Sequence, residues 1–356
     1  MPFRKGLIPA IVAPLAVVVG MITVPAIANA ATPPAAKTPA QVLALVADSH
    51  DAHYSGTVQQ SSDLGLPQLP DSMSSSASAS SQGFDAASII SLVTGSHTAK
   101  VYVDGPTRQR VQLLDTLSER DLIHDGTSVW TYDATAHTAT HATASSTDTH
   151  SSPPQTRTPA MLADRFIAAI TPTTSVTAST GTFLGRGVYE LTLAPKTSVT
   201  LIGDVLIRVD AQTGVPLSVQ VDARGQSDPA VEVTFSAIDF ARPAADVFTF
   251  TPPAGTTVKS LALPSGTSGG TRPDAGTMTA PTVIGTGWAS IVKVSGKDAA
   301  AAPGAVSSSA GLLNELTQRV DGGRMLQTSL FTVYLRDDGT VFAGAVPQAT
   351  LLAAAR

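Results

Sequence analysis

The sequence predicts an α+β protein with one large antiparallel sheet, helices on one face of it, and a small carboxy-terminal α+β module. Two observations support this prediction. Residues 188–258 alternate apolar and polar side chains through successive short segments, as strands do when one face is buried and the other is wet. Short turns join these segments, which is typical of a meander of antiparallel strands and not of a βαβ layout.

The meander is predicted from four segments with inward-facing apolar residues: Tyr189–Leu193, Val205–Asp210, Leu217–Val221 and Val231–Phe235. Gly214 ends the turn after the second segment, because glycine readily takes the positive φ that a tight hairpin loop needs. Pro252 and Pro253 follow the last segment, and proline cannot donate a hydrogen bond to a neighbouring strand. The sheet is therefore predicted to end near Val258.

The chain begins with a predicted secretory signal peptide over residues 1–30. Arg4 and Lys5 precede an apolar run, and Ala28 and Ala30 place small side chains at the cleavage positions, so the mature chain is expected to start at Ala31. The length of the apolar run leaves an uncleaved amino-terminal membrane anchor as the alternative, although prolines within it argue against a spanning helix.

The first half of the mature chain adds two capped helices and several strands to the sheet. Thr38 and Pro39 predict a helix start, and Thr158 and Pro159 predict another, over Met161–Ile170. Further elements are predicted as strands at 53–60, 100–104, 109–114 and 119–124, a loop insertion at 61–83, a short helix at 85–93, a hairpin at 124–133, and at most a strand tail within 134–156.

The last part of the chain is predicted to be a separate module. Residues 260–281 are rich in Gly, Ser, Thr and Pro, the composition of a flexible linker. Beyond it we predict a strand at 288–294, a helix at 312–320, and a hairpin of 325–335 with 340–346. The domain organisation is thus signal peptide 1–30, main domain 38–259, linker 260–281 and module 282–356, with the module packed on the main domain because it is too short for a large core of its own.

Four motifs of the main domain resemble a known family. They are YxLxLxP at 189–195, VDxxTGxPLxVxV at 209–221, DxFxFxPPAGxxV at 246–258, and DGxxxWxYD at 125–133. Together with a helix followed by YSGTVQQ at 54–60, they resemble the LolA-like lipoprotein carriers and the related amino-terminal domain of RseB, in particular actinobacterial-type members. The resemblance implies an incomplete, strongly curved β-barrel with helices on its concave side; composition alone allows any antiparallel sheet with helices on one face.

Composition and charge exclude several classes of function. The chain has no cysteine, which excludes disulfides, thiol catalysis, cysteine metal sites and an acylated lipobox. Without residues 1–30, which hold two basic residues and no acidic one, the formal net charge changes from −5 to −7. A negative chain with no cluster of Lys and Arg is unsuited to nucleic acid.

Catalytic and metal-binding signatures are weak. No GxSxG, HExxH, Walker or Rossmann pattern occurs, and Ser290 and Lys293 match SxxK in a predicted strand, where they would point to opposite faces. The run of Asp48, His50, Asp51 and His53 is interpreted as polar residues of a helix end and turn. We therefore predict a non-enzymatic protein without cofactor or metal, and a hydrolase is the least favoured of the three functions considered.

The resemblance implies a secreted or cell-envelope carrier that holds the acyl chains of a lipid, lipoprotein or glycolipid. The predicted lining of the concave face is Val111, Leu113, Trp130, Tyr132, Tyr189, Leu191, Leu193, Val205, Ile207, Val209, Leu217, Val219, Val221, Val231, Val233 and Phe235. An apolar binding surface needs no catalytic signature, since each buried CH₂ contributes about 0.8 kcal/mol. One alternative is that the same residues meet the helices in a closed core. Another function is an RseB-like regulator that binds a membrane-bound anti-sigma factor.

Overall fold

The computed structural model describes residues 32–66, 96–115, 118–143, 158–262, 281–295 and 316–356, all within the unit Ala31–Arg356. The signal peptide, the helix at 85–93, and most of the 61–83 insertion and the 260–281 linker lie outside these ranges. None of the described helices is long and apolar enough to cross a membrane.

Twelve strands form one large sheet in the order β12-β6-β5-β4-β3-β2-β1-β11-β10-β9-β8-β7. Their bounds are β1 His53–Ser62, β2 His97–Asp104, β3 Arg108–Asp115, β4 Ser118–Asp125, β5 Ser128–Asp133, β6 Thr138–Thr143, β7 Thr174–Phe183, β8 Arg186–Pro195, β9 Ile202–Asp210, β10 Pro216–Ala223, β11 Val231–Asp239 and β12 Thr257–Ala262. Neighbouring strands are antiparallel except β12 and β6, which are parallel. The sheet is strongly curved and does not close into a barrel, so the predicted fold class is confirmed.

Six shorter strands form a second sheet in the order β13-β14-β18-β17-β16-β15. Their bounds are β13 Thr282–Ile284, β14 Ile291–Val294, β15 Gln318–Val320, β16 Gly323–Gln327, β17 Thr332–Arg336 and β18 Val341–Gly344. The helix α3, Gln348–Ala354, buries Leu351 in the same core as Ile291, Tyr334 and Phe342.

The two sheets are in direct contact. The Thr200 hydroxyl and the Leu201 amide both donate to the Ala345 carbonyl, at 2.8 and 2.9 Å. The Trp288 indole donates to the Thr174 hydroxyl at 2.8 Å. The division into modules at 38–259 and 282–356 stays a prediction, and β12 continues three residues into the predicted linker, to Ala262.

Two helices cover the concave side of the large sheet. The helix α1, Pro39–Asp48, starts with a capping box in which Thr38 and Gln41 bond each other's backbone amides. The helix α2, Pro159–Ala168, is capped by the Thr158 hydroxyl, which accepts from the Met161 amide. Both helices pack on the core formed by β8, β9 and β10.

Several element predictions were wrong or incomplete. Residues 318–320 form strand β15 and not the end of a helix, while 312–315 lie outside the described ranges. Residues 325–335 form two strands separated by a turn, and the predicted strand at 288 begins at 291. The strand β7 was missed and β6 was predicted as at most a strand tail, because Thr, Ser and Ala dominate both and leave little apolar alternation to detect.

Candidate functional site

A cavity of about 120 Å³ lies on the concave side, where the ends of α1 and α2 meet the strands β1 to β4. Its walls are mostly apolar: Val46, Ala52, Val101, Val103, Val111, Leu122, Ala160, Met161, Val215 and Pro216. Seven polar residues complete the lining: Ser49, His50, Tyr54, Gln109, His124, Thr158 and Asp164. This combination of apolar wall and few polar groups is typical of a small-molecule site.

Strand register explains the strand wall of the cavity. Val101 pairs with Val111, and Val111 pairs with Leu122, so these three side chains form one row across β2, β3 and β4. The next row on the same face contains Gln109 and His124, which pair with each other. Because cross-strand partners point to the same face of a sheet, the wall changes from apolar to polar towards one end of the strands.

The helices contribute the opposite wall. On α2, Ala160 and Asp164 are four residues apart and therefore lie on the same side of the helix. After α1, a 3₁₀ turn at Ser49–Asp51 leads directly into β1, which places His50 and Tyr54 beside the cavity. The polar lining is thus carried by five elements that the fold brings together: the 3₁₀ turn, β1, β3, β4 and α2 with its cap.

The polar lining residues differ in burial: one lies deep in the cavity and the others lie at its rim. The Tyr54 side chain is only 5% exposed, whereas Asp164 and His124 are half-buried and His50 is exposed. Burial raises the pKa of Asp164, and the nearby His50 partly opposes this effect. Burial also raises the pKa of Tyr54, with a further contribution from the Asp164 charge, so the phenol stays protonated and remains a hydrogen-bond donor.

The predicted lining residues are distributed over three places. Val111 lines the cavity, and Leu113 lies two residues further along the same face of β3. A core under α1 and α2 contains Tyr189, Leu191, Leu193, Val205, Ile207, Val209, Val219 and Val221, with Val42, Val46 and Ala163 of the helices. A neighbouring core contains Leu217, Val233 and Phe235, with Val231 half-buried against both.

Trp130 and Tyr132 lie on the face of the sheet opposite the cavity. Thr131 pairs with Leu122 of the cavity wall, so its two neighbours in β5 must point the other way. On that face the Trp130 ring stacks on His141 with centroids 4.3 Å apart, and Phe250 contacts both Trp130 and Tyr132 at 5.4 Å. These aromatic residues pack the convex side.

Sequence reasoning did not identify Tyr54, Gln109 and Asp164 as site residues. A signal existed for one of them, since Asp164 interrupts an otherwise apolar helix face that includes Ala160 and Ala163. The other two carry no such signal, because each is an ordinary polar position in a strand. Among the described residues, no group of three or more His, Asp or Glu side chains is arranged to hold a metal ion.

No protein-family model matches the chain, and no curated protein matches it in sequence. Solved structures do match. The MucA/MucB complex of Pseudomonas aeruginosa matches with 15% identity and a TM-score of 0.44, over 88% of this chain and 96% of that one. A LolA superfamily protein from Nitrosomonas europaea matches with 10% identity and a TM-score of 0.24, over 60% of this chain and 99% of that one. These names belong to the families that the sequence motifs resemble.

A third structure is a putative outer membrane lipoprotein-sorting protein domain from Vibrio parahaemolyticus. It matches with 9% identity and a TM-score of 0.24, over 58% of this chain and 94% of that one. At these identities and TM-scores the matches establish no function.

Proposed function

We propose that this protein is a non-enzymatic carrier of the cell envelope that binds an acyl chain of a lipid, lipoprotein or glycolipid on the concave side of its sheet. The observation that supports the proposal is the apolar cavity between the two helices and β1 to β4, with polar groups at its rim. Such a cavity suits an amphiphile whose apolar end enters first and whose polar end stays near water. Export through residues 1–30 would deliver the carrier to the envelope.

The volume of the cavity indicates how many carbons of an acyl chain it can hold when the helices are placed as in this structure. An apolar cavity of about 150 Å³ stays dry and binds benzene, so the 120 Å³ found here suits the last few carbons of an acyl chain. Burying about six carbons contributes roughly 5 kcal/mol before the costs of binding. A longer acyl chain requires more space than the closed arrangement offers.

We propose that the additional space lies under α1 and α2. The predicted residues there, including Leu193, Ile207 and Val219, are fully buried against the helices and form a continuous apolar surface. Movement of the two short helices would add this surface to the cavity. Trp130 and Tyr132 are not part of this site, because they lie on the opposite face.

The alternative function is an RseB-like regulator that binds a membrane-bound anti-sigma factor. The feature that favours it is the second sheet, which contacts the large sheet at Thr200, Leu201 and Thr174 and gives the chain the two-part outline that the resemblance to RseB implies. Purification from membranes under mild conditions distinguishes the two functions. A regulator retains a membrane protein, and a carrier retains lipid that organic solvent extracts.

Filling the cavity from α2 tests the carrier function. Ala160→Leu places a larger apolar side chain in the cavity and is expected to reduce the affinity for a fluorescent acyl ester about tenfold, equivalent to roughly 1.4 kcal/mol. Ala168→Leu makes the same change at an exposed position of the same helix and is the matched control. Equal binding by both variants and the parent, measured by fluorescence titration, would place the ligand elsewhere.

A further inference from the structure

The hydroxyl group of Tyr54 has no hydrogen-bond partner in the part of the chain that the structure describes. Its ring is held by edge contacts with Phe235 and Phe240, at centroid distances of 5.8 and 6.4 Å. Tyr54 and Asp164 both line the cavity. The negative charge of Asp164 is close enough to the phenol to contribute to its raised pKa. The hydroxyl oxygen is not among the buried unpaired atoms of the described residues, so it opens onto the cavity, where an acceptor atom of a ligand can reach it.

The rim beside Tyr54 favours an uncharged headgroup over an anionic one. Burial and the charge of His50 are the influences on the Asp164 carboxyl, and no hydrogen bond from a described residue is among them, so this group can accept from a ligand hydroxyl. The Gln109 amide and the imidazoles of His50 and His124 are the other polar groups that border this space. Asp164 is the one acidic residue among the described residues that line this space, so its carboxylate opposes a bound anion.

We propose that the cavity selects an acyl ester with a hydroxyl-bearing, uncharged headgroup and discriminates against the free fatty-acid anion. Tyr54 donates a hydrogen bond to the ester carbonyl oxygen, and Asp164 accepts a hydrogen bond from a headgroup hydroxyl. The anion of a fatty acid would bring its negative charge next to Asp164. This inference rests on the proposed carrier function and specifies the ligand class of the same site.

The ester carbonyl matches the position of the donor. Tyr54 lies among apolar side chains, next to Val101 and Val103 in the sheet, and Asp164 lies further out on α2. In an acyl ester the carbonyl lies between the hydrocarbon chain and the headgroup hydroxyls. A ligand that enters with its apolar end first therefore brings the carbonyl to Tyr54 and the hydroxyls to Asp164.

Calorimetric titration with two ligands of equal chain length tests the selection. Monodecanoylglycerol and decanoate are compared at pH 7.5, each below its aggregation concentration. The parent protein is expected to bind the ester about tenfold more tightly. Tyr54→Phe should reduce ester affinity about five- to tenfold, the effect of one lost hydrogen bond, and leave decanoate affinity unchanged. Asp164→Asn should raise decanoate affinity about tenfold, because it removes the like charge.

Two control variants make the same chemical changes outside the cavity. Tyr102→Phe alters a tyrosine on the opposite face of β2, between Val101 and Val103, and Asp48→Asn alters an exposed carboxyl at the end of α1. Neither is expected to change either affinity. Thermal unfolding of Tyr54→Phe should show an unchanged or higher Tm, since the hydroxyl it removes has no protein partner within the described residues.

Equal affinity for ester and anion in the parent, with no effect of Tyr54→Phe, overturns the selection while leaving the carrier function intact. Binding of neither ligand by the parent contradicts the carrier function itself. A loss of affinity for both ligands in Tyr54→Phe, together with a lower Tm, assigns the residue a structural role and also overturns the selection.

Discussion

Asp210→Ala is expected to lower the free energy of unfolding by about 3 kcal/mol, because it breaks a buried ion pair. The Asp210 side chain is fully buried and pairs with the Arg186 guanidinium of the adjacent strand. It also accepts hydrogen bonds from the Gln212 amide at 3.1 Å and the Thr213 amide at 2.8 Å, which fix the turn between β9 and β10. Arg186 is 28% exposed and keeps some solvation, so the lower end of the usual 3–5 kcal/mol range applies. Urea unfolding at pH 7 measures the change.

The pH dependence of this loss follows from the pKa of Asp210. Burial alone would raise it, but the hydrogen bonds from Arg186 and Thr213 and the charge of Arg186 lower it overall. The stability that Asp210 contributes is therefore present above its ordinary pKa of about 3.9 and lost as the pH falls through the lowered value. The difference between the parent and Asp210→Ala should shrink accordingly below pH 4.

Asp204 lies on the same strand and provides a control, because its pKa is shifted in the direction opposite to that of Asp210. Burial and the facing Asp222 raise the pKa of Asp204, so its ionisation opposes folding as the pH rises. Asp204→Asn should therefore leave stability at pH 7 unchanged or increase it. Destabilisation by Asp204→Asn similar to that of Asp210→Ala would contradict this assignment of the two carboxyl groups.

Gly214→Ala is expected to be at least as destabilising and to detach α1 from the sheet. Gly214 has φ +76°, and an added Cβ would lie 2.2 Å from the Leu45 carbonyl oxygen of α1. The left-handed backbone costs about 1–2 kcal/mol for any residue with a side chain. The overlap forces the helix away and exposes Val42 and Val46, whose burial contributes roughly 1.5–3 kcal/mol each. A total loss of about 3 kcal/mol or more should be measured by urea unfolding.

Gly225→Ala separates the backbone strain from the collision with α1. Gly225 has φ +81°, but no atom lies within 4 Å of its added Cβ. The free energy of unfolding of this variant should fall only by the backbone strain of about 1–2 kcal/mol. A fluorescent dye that binds exposed apolar surface should bind Gly214→Ala, where α1 is displaced, and should not bind Gly225→Ala. Similar losses in both glycine variants, with no dye binding by Gly214→Ala, would show that α1 does not depend on this contact.

The strands that the sequence predicts well are those with a dry face. In β8 to β10 and the first half of β11 most alternate side chains are large and apolar, and the structure buries most of these positions, including Leu191, Ile207 and Val233. In β6 and β7 most side chains are small or hydroxylated, and cross-strand pairing holds the strands in place: β6 pairs with β5 and with the distant β12, and β7 pairs with β8. Alternation detects the burial of large side chains, so it finds the first kind of strand and misses the second.

The site was less predictable than the fold, because alternation does not show what covers a dry face. Ile207 and Leu193 were predicted to face a ligand, and the structure places α1 and α2 against them. The pattern also gave no sign that Trp130 faces away from Val111, since either face of β5 can be apolar. The contacts of Trp130 with His141 and Phe250 decide its side.

Mass spectrometry of organic extracts from the protein, purified gently from its native source, tests the carrier function most directly. The parent protein and Ala168→Leu are predicted to carry an acyl lipid in stoichiometric amount, and Ala160→Leu, which fills the cavity, is predicted to carry much less. Protein that contains no acyl lipid, or an equal amount of lipid in all three forms, would contradict the account.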